Sequence, residues 1–373
     1  MKKVIVALMM TGLFWPTGSV FAGNISENIS LKGDFRYRHE MIDKEDKDPR
    51  HRQRIRARIG IEGKVSSATS VTVQLATGSD DPVSTNQTLD GSFSTKNIGL
   101  DLAYLKIKPE QVSGLTIMGG KFKNPFYKPG KSELIWDSDF NPEGGIASFT
   151  KKTDDLSFTL IGAGLWIDER STGDDSWMGA GQGLVKYDLE DSKIAFTLGG
   201  GYFNYVNTQG FGIFHDASDP MGNSASTYVS SDETDTFLVY DNDYELFEFF
   251  AEMSTELSEM PVTVMFDYVT NNAADSLGDG WLAGIRLGKI KNPGSRSLRY
   301  IYREVKKDAV LGTFTDSDFR GGGTDAKGHE FGGTLRLDTN TDFSITYFAN
   351  KTGLEGAESN YGRLQVDLQL KFK

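Results

Sequence analysis

The chain has 373 residues, of which 38% are hydrophobic and 25% charged, with 42 glycines, 10 prolines and no cysteine. This is the composition of an ordered protein and not of a collagen-like or disordered one. The lack of cysteine excludes disulfide scaffolds, thiolate zinc sites, iron–sulfur clusters and cysteine nucleophiles, and the four histidines leave little material for other metal centres. A formal charge of −12 disfavours nucleic acid as a partner and favours cations.

At the N-terminus Lys2 and Lys3 precede an uncharged run, Val4–Trp15, then Pro16 and the small-residue pattern Val20-Phe21-Ala22. This reads as a secretory signal peptide over residues 1–22, and the run is too short to cross about 30 Å of hydrocarbon as a helix. No later segment approaches about 18 consecutive apolar residues, so residues 23–373 are expected to form an exported soluble β protein or a transmembrane β-barrel.

From residue 23 onward the repeated signal is alternation at period two. Leu31, Phe35, Tyr37 and Met41 oppose Lys32, Asp34, Arg36, Arg38 and Glu40, and Ile55, Ala57, Ile59 and Ile61 oppose Arg54, Arg56, Arg58 and Glu62. The last segment is the clearest, with Leu364, Val366, Leu368, Leu370 and Phe372 on one face and Arg363, Gln365, Asp367, Gln369 and Lys371 on the other. A strand between an apolar and an aqueous phase has this pattern. In chain order the alternation predicts sixteen strands, at 30–41, 51–62, 70–77, 97–107, 115–122, 144–151, 155–166, 177–188, 193–205, 244–255, 261–269, 281–290, 297–306, 328–338, 342–350 and 361–372. Gaps after odd-numbered strands are mostly long, including 78–96, 123–143, 206–243 and 307–327, whereas those after even-numbered strands, such as 152–154 and 339–341, are short. An even count of antiparallel strands with long loops on one side and tight turns on the other predicts an all-β fold, a sixteen-stranded antiparallel transmembrane β-barrel. A soluble sandwich or propeller is the competing architecture. The adjacent arginines of 52–58 speak against it, and so do aromatic residues expected at strand ends, where interfacial girdles form (Tyr104, Trp166, Trp177, Tyr202, Tyr205, Tyr244, Trp281, Tyr347 and Tyr361).

Three segments carry a family resemblance: the second strand His51-Arg52-Gln53-Arg54-Ile55-Arg56-Ala57-Arg58, Leu102-Ala103-Tyr104-Leu105 in the fourth, and Leu134-Ile135-Trp136-Asp137-Ser138-Asp139-Phe140-Asn141-Pro142-Glu143-Gly144 after the fifth. On these the chain resembles the Putative porin family of Gram-negative outer membranes. The resemblance implies a third outside loop, 123–143, that folds into the barrel and narrows the pore. It also implies a homotrimer, outer-membrane lipid and lipopolysaccharide as surroundings, and passive diffusion of small hydrophilic solutes or ions.

Arg52, Arg54, Arg56 and Arg58 share one parity, and Arg36 and Arg38 match it on the neighbouring strand. Facing lipid would cost about 2–4 kcal/mol each at the midplane, so these six are expected to line the lumen. Two readings stay open. The arginines could face Glu133, Asp137, Asp139 and Glu143 of the third loop across a constriction, giving a transverse field that selects by charge. Alternatively they could pair with Asp34, Glu40, Glu62 and Asp101 and brace the wall. The run Asp137-Ser138-Asp139-Phe140-Asn141 begins like a calcium loop, but Pro142 and Ser148 stand where Gly and Glu are required, so no metal or cofactor is expected. Neither His39, His51 nor His215 has a serine in a nucleophile setting, so no enzymatic activity is expected. The fifth loop, 206–243, is acidic and has no lysine or arginine. A non-conducting barrel serving as adhesin or anchor, plugged by loops three and five, is the alternative function.

Overall fold

The computed structural model describes residues 25–189, 193–229 and 236–372; the signal peptide expected over residues 1–22 lies outside the described residues. After one helical turn at Ile25–Asn28, the alternating segments form sixteen long strands. These are β1 (Ile29–Lys44), β2 (Arg50–Lys64), β3 (Thr69–Thr77), β4 (Ile98–Ile107), β5 (Leu115–Lys121), β6 (Glu143–Lys152), β7 (Leu156–Asp168) and β8 (Ser176–Leu189). Then follow β9 (Ile194–Val206), β10 (Tyr244–Leu257), β11 (Met260–Asn271), β12 (Asp279–Gly288), β13 (Arg296–Val305), β14 (Ala326–Asp338), β15 (Thr341–Thr352) and β16 (Ser359–Phe372). Each pairs antiparallel with the next, and β1 pairs back onto β16 from Gly33 opposite Phe372 to Lys44 opposite Tyr361, so the sheet closes. Closure leaves no unpaired edge, the condition for a sheet to survive in hydrocarbon.

The long connections lie at the end opposite Phe372, and the short ones form tight turns. Between β10 and β11 two residues suffice, Ser258 and Glu259, with φ of 49° and 66°. Two positive φ values in succession are the geometry that matches hairpin twist to strand twist.

Side chains alternate as the parity requires. In β7 Leu160 is 63% exposed on the outer face while the next residue, Ile161, is 8% exposed on the inner face. Of the aromatic residues expected in girdles, Trp166, Trp177, Tyr202 and Tyr347 lie exposed on the outer face, but Tyr205, Tyr244 and Tyr361 are buried in the interior. Their inward parity puts them where loops cover them.

The inner wall is two-sided in character. Along β6 to β13 it carries Ile146, Leu165, Met178, Phe203, Tyr244, Leu246, Val269, Leu282 and Val305, all buried. Loop 3 (residues 122–142) covers them with Phe122, Phe126 and Trp136, loop 5 (207–243) with Phe214 and Tyr240, and loop 7 (306–325) with Val310, Leu311 and Phe314, in one continuous apolar cluster. Burying such side chains is worth about 1.5–3 kcal/mol each, enough to hold three loops inside a barrel. β5 joins this side by packing Met118 against the cluster, and the remaining wall, β14–β16 and β1–β4, is mainly polar.

Candidate functional site

The polar wall is built on cross-strand register. In β1 and β2, Asp34 lies opposite Arg58, Arg36 opposite Arg56, Arg38 opposite Arg54 and Glu40 opposite Arg52. On the other side of β1, Arg38 lies opposite Asp367 and Glu40 opposite Gln365 of β16. All point inward on one parity.

Most of these charges are in contact. Arg38 holds Asp367 through Nε at 2.7 Å and Nη2 at 2.8 Å, and reaches Asp318 of loop 7 at 3.4 Å. Arg52 and Arg363 both donate to Glu40, at 2.6 Å and 2.9 Å from their Nε atoms, and Arg363 also pairs with Asp318 at 2.6 Å. Arg56 and Arg58 share Asp34, at 3.1 Å and 2.8 Å, and both reach Asp139 of loop 3, at 3.5 Å and 3.3 Å. Thr85 of the second outside loop (loop 2, residues 78–97) donates to the same Asp139 at 3.2 Å. Arg36 donates to Asn86 at 2.5 Å. Arg54 makes only a 4.0 Å approach to Glu40.

The four loop 3 acids therefore separate. Asp139 sits on the arginines. Burial would raise its carboxyl, but Arg56 and Arg58 hold it down at about 2. Glu133 and Asp137 turn to loop 7 instead, where their carboxylate oxygens lie within 4.8 Å of one from Asp316. Asp137 accepts from the Ser317 amide at 2.9 Å, Glu133 accepts from the Ser138 amide at 2.6 Å, and Arg303 pairs with Asp316 at 2.9 Å. Burial and the Asp316 charge push Glu133 up to about 7, and burial with the Glu133 charge raises Asp137 well above the usual carboxylate range. These three oxygens are spaced as ligands of a hard cation would be, yet they are already occupied by amides, Arg303 and the Lys128 ammonium, which lies 3.9 Å from Glu133. Glu143, the first residue of β6, is exposed and pairs with Lys121 at 2.8 Å.

Of the wall carboxylates read from sequence, Asp34 and Glu40 meet the arginines. Glu62 pairs instead with Lys32 and Lys106, and Asp101 accepts from Gln74 and Asn141. Arg363, Asp367, Asp316, Asp318 and Arg303 complete the network without having been singled out from sequence. Inward parity marks the first two and Arg303, but their partners come from barrel closure and from a loop.

Loop 3 is fastened to the opposite wall. The Tyr127 amide donates to Gln182 Oε1 at 2.7 Å and Gln182 returns a bond to the Tyr127 carbonyl at 3.1 Å. The Gly130 amide donates to Glu252 at 2.5 Å, and Arg286 donates to the Gly130 carbonyl. Above the wall, on the side of the long loops, a vestibule of about 610 Å³ opens between β1, β2, β16 and loops 2, 5 and 7, with Arg52, Arg54, Arg363, Ser84, His215 and Ser317 in its lining.

A closed sixteen-strand barrel with an apolar outer face, a charged inner wall and an inward-folded third loop is the architecture of outer-membrane porins. The profile of the family described as "Putative porin" matches residues 36–247 and 233–372, and the chain belongs to that family. Solved structures of similar fold include OprB of Pseudomonas putida at high pH (9% identity, TM-score 0.59, covering 93% of this chain and 95% of that one). They also include OmpF of Salmonella typhi in complex with daunomycin (11%, 0.55, 92% and 98%) and the trimer form of OmpT, an outer membrane protein of Vibrio cholerae (12%, 0.52, 92% and 100%). Among curated protein sequences, none matches this chain.

Proposed function

We propose that this outer-membrane porin is a passive diffusion pore for small hydrophilic solutes and ions. In this reading the protein is a homotrimer of separate channels in outer-membrane lipid and lipopolysaccharide, exported by a signal peptide cleaved after Ala22. It performs no reaction and uses no cofactor. The observation that carries the reading is the one-sided lumen. Loops 3, 5 and 7 pack against the apolar half of the wall, while the charged half of β1, β2 and β16 fronts the vestibule. Charged walls in a narrow pore select by sign and orient dipolar solutes.

The same apolar cluster favours one second reading, a barrel plugged by its loops that serves as an adhesin or anchor. Liposome swelling separates the two. A diffusion pore makes proteoliposomes swell in isotonic arabinose, at a rate that falls for larger sugars. A folded, inserted protein that produces no swelling above protein-free liposomes would contradict it and support the plug.

A further inference from the structure

We propose that the floor of the outer vestibule binds a small oxyanion, a carboxylate- or phosphate-bearing solute, with the Arg54 guanidinium as its anchor. The proposal rests on the diffusion-pore reading and names the solute class that its wall favours.

A guanidinium carries five N–H groups in a fixed fork that matches a carboxylate or phosphate. Every other arginine described above in this wall donates to a side-chain acceptor within the protein. The Arg54 side chain, among the described residues, makes no hydrogen bond. Its Nε is buried without a partner, its side chain is 12% exposed, and its nearest carboxylate oxygen, on Glu40 at 4.0 Å, already accepts from Arg363. Glu40 thus lies within ion-pair distance of three arginines and hydrogen-bonds only two of them. A mostly buried cation with unmet donors is costly until an acceptor arrives.

Position supports the same conclusion. Arg54 cannot turn toward lipid, because its backbone is paired on one side with Arg38 of β1 and on the other with Thr88 of loop 2. Loop 2 reaches this place because β3 ends at Thr77, leaving the upper edge of β2 free for Gln87–Thr88. The Arg54 side chain lines the vestibule, whose volume of about 610 Å³ is that of a small-molecule site. Of the three acids on the same lining, Asp48 lies among Lys44, Lys47 and Arg50, and the other two are turned to their own loops. Asp81 accepts from the Val83 amide at 3.0 Å, and Asp216 accepts from Ser218 at 2.7 Å. Ser84, Thr313 and Ser317 line the cavity as well, offering hydroxyls to a solute.

The test is the chloride current of the full-length trimer in planar bilayers, titrated with inorganic phosphate in one arm and succinate in the other. The proposal expects a saturable fall in current with at least one probe, and which probe acts identifies the anion chemistry. Arg54→Gln should raise the half-saturating concentration at least tenfold, and Arg54→Lys, which keeps the charge without the fork, should fall between. Current that falls without saturation for both probes, or an unchanged midpoint in Arg54→Gln, would overturn the site. If the wild-type protein carries no current, the diffusion reading itself fails. Calorimetric titration of the detergent-solubilised protein with the same probes then decides: binding lost in Arg54→Gln upholds the site, and no binding to wild type overturns it.

Discussion

Gly130 is the point at which loop 3 is most sensitive to a single atom. Its φ and ψ are 57° and 13°, in the left-handed region, and a Cβ placed there would lie 2.0 Å from the sulfur of Met265, itself 1% exposed. Gly130→Val therefore carries two penalties, about 1–2 kcal/mol for a branched residue in the left-handed region and about 1–3 kcal/mol for overpacking. It also disturbs the bonds from the Gly130 amide to Glu252 and from Arg286 to the Gly130 carbonyl. At 1.4 kcal/mol per decade, a sum of about 2–5 kcal/mol raises the undocked fraction of the loop roughly thirty-fold to a few thousand-fold. Single-channel recording should show a larger and noisier open level, and limited proteolysis should cut within 122–142 in the variant before the wild type. Adding Met265→Ala to Gly130→Ala should relieve the collision and leave the backbone penalty, so that the double variant lies between Gly130→Ala and wild type. Wild-type conductance, noise and protease resistance in Gly130→Val would refute this account of how loop 3 is held.

Asp139→Asn leaves Arg56 and Arg58 with Asp34 as their only carboxylate, and should shift permeability toward anions and lower thermal stability; a reversal potential equal to wild type would count against the bridge. Replacing Arg54 and Arg56 together by glutamine should raise the cation-to-anion permeability ratio, and an unchanged ratio would mean that these side chains do not face the ion path. The Glu133 carboxyl, pushed up to about 7, is a group whose ionisation opposes the folded contact. Its contribution is favourable below the unfolded value near 4.5 and is lost as pH rises to about 7. Thermal stability should therefore fall between pH 5 and 8 with a component that Glu133→Gln removes, and equal slopes in the two proteins would contradict this assignment.

The barrel was legible because period-two alternation reports directly on two solvents, and sixteen segments carry it. The arginine wall was legible for the same reason, since lipid forbids the opposite parity. What could not be read locally was how the loops use the interior. Phe214, Tyr240 and Phe314 lie in segments with no period, and Ile161 and Leu165 of the same cluster sit in β7, a strand whose two faces are both largely apolar. Asp137 and Asp139 are two residues apart, yet one faces loop 7 and the other the arginines, a separation set by the path of loop 3 and not by its composition. Asp367 was visible on the inner parity of the last strand, but its bond to Arg38 exists only because β16 closes onto β1.

In the diffusion-pore reading, a conducting path runs along the charged wall of a barrel whose other half is filled by loops. Single-channel recording of the detergent-purified protein in a planar bilayer, with the reversal potential read under a salt gradient, tests it most directly. Ohmic openings in steps of three are expected, with a reversal potential that moves when Asp139 or Arg56 is neutralised. A protein that inserts reproducibly and stays silent, or a current indifferent to both substitutions, would contradict it.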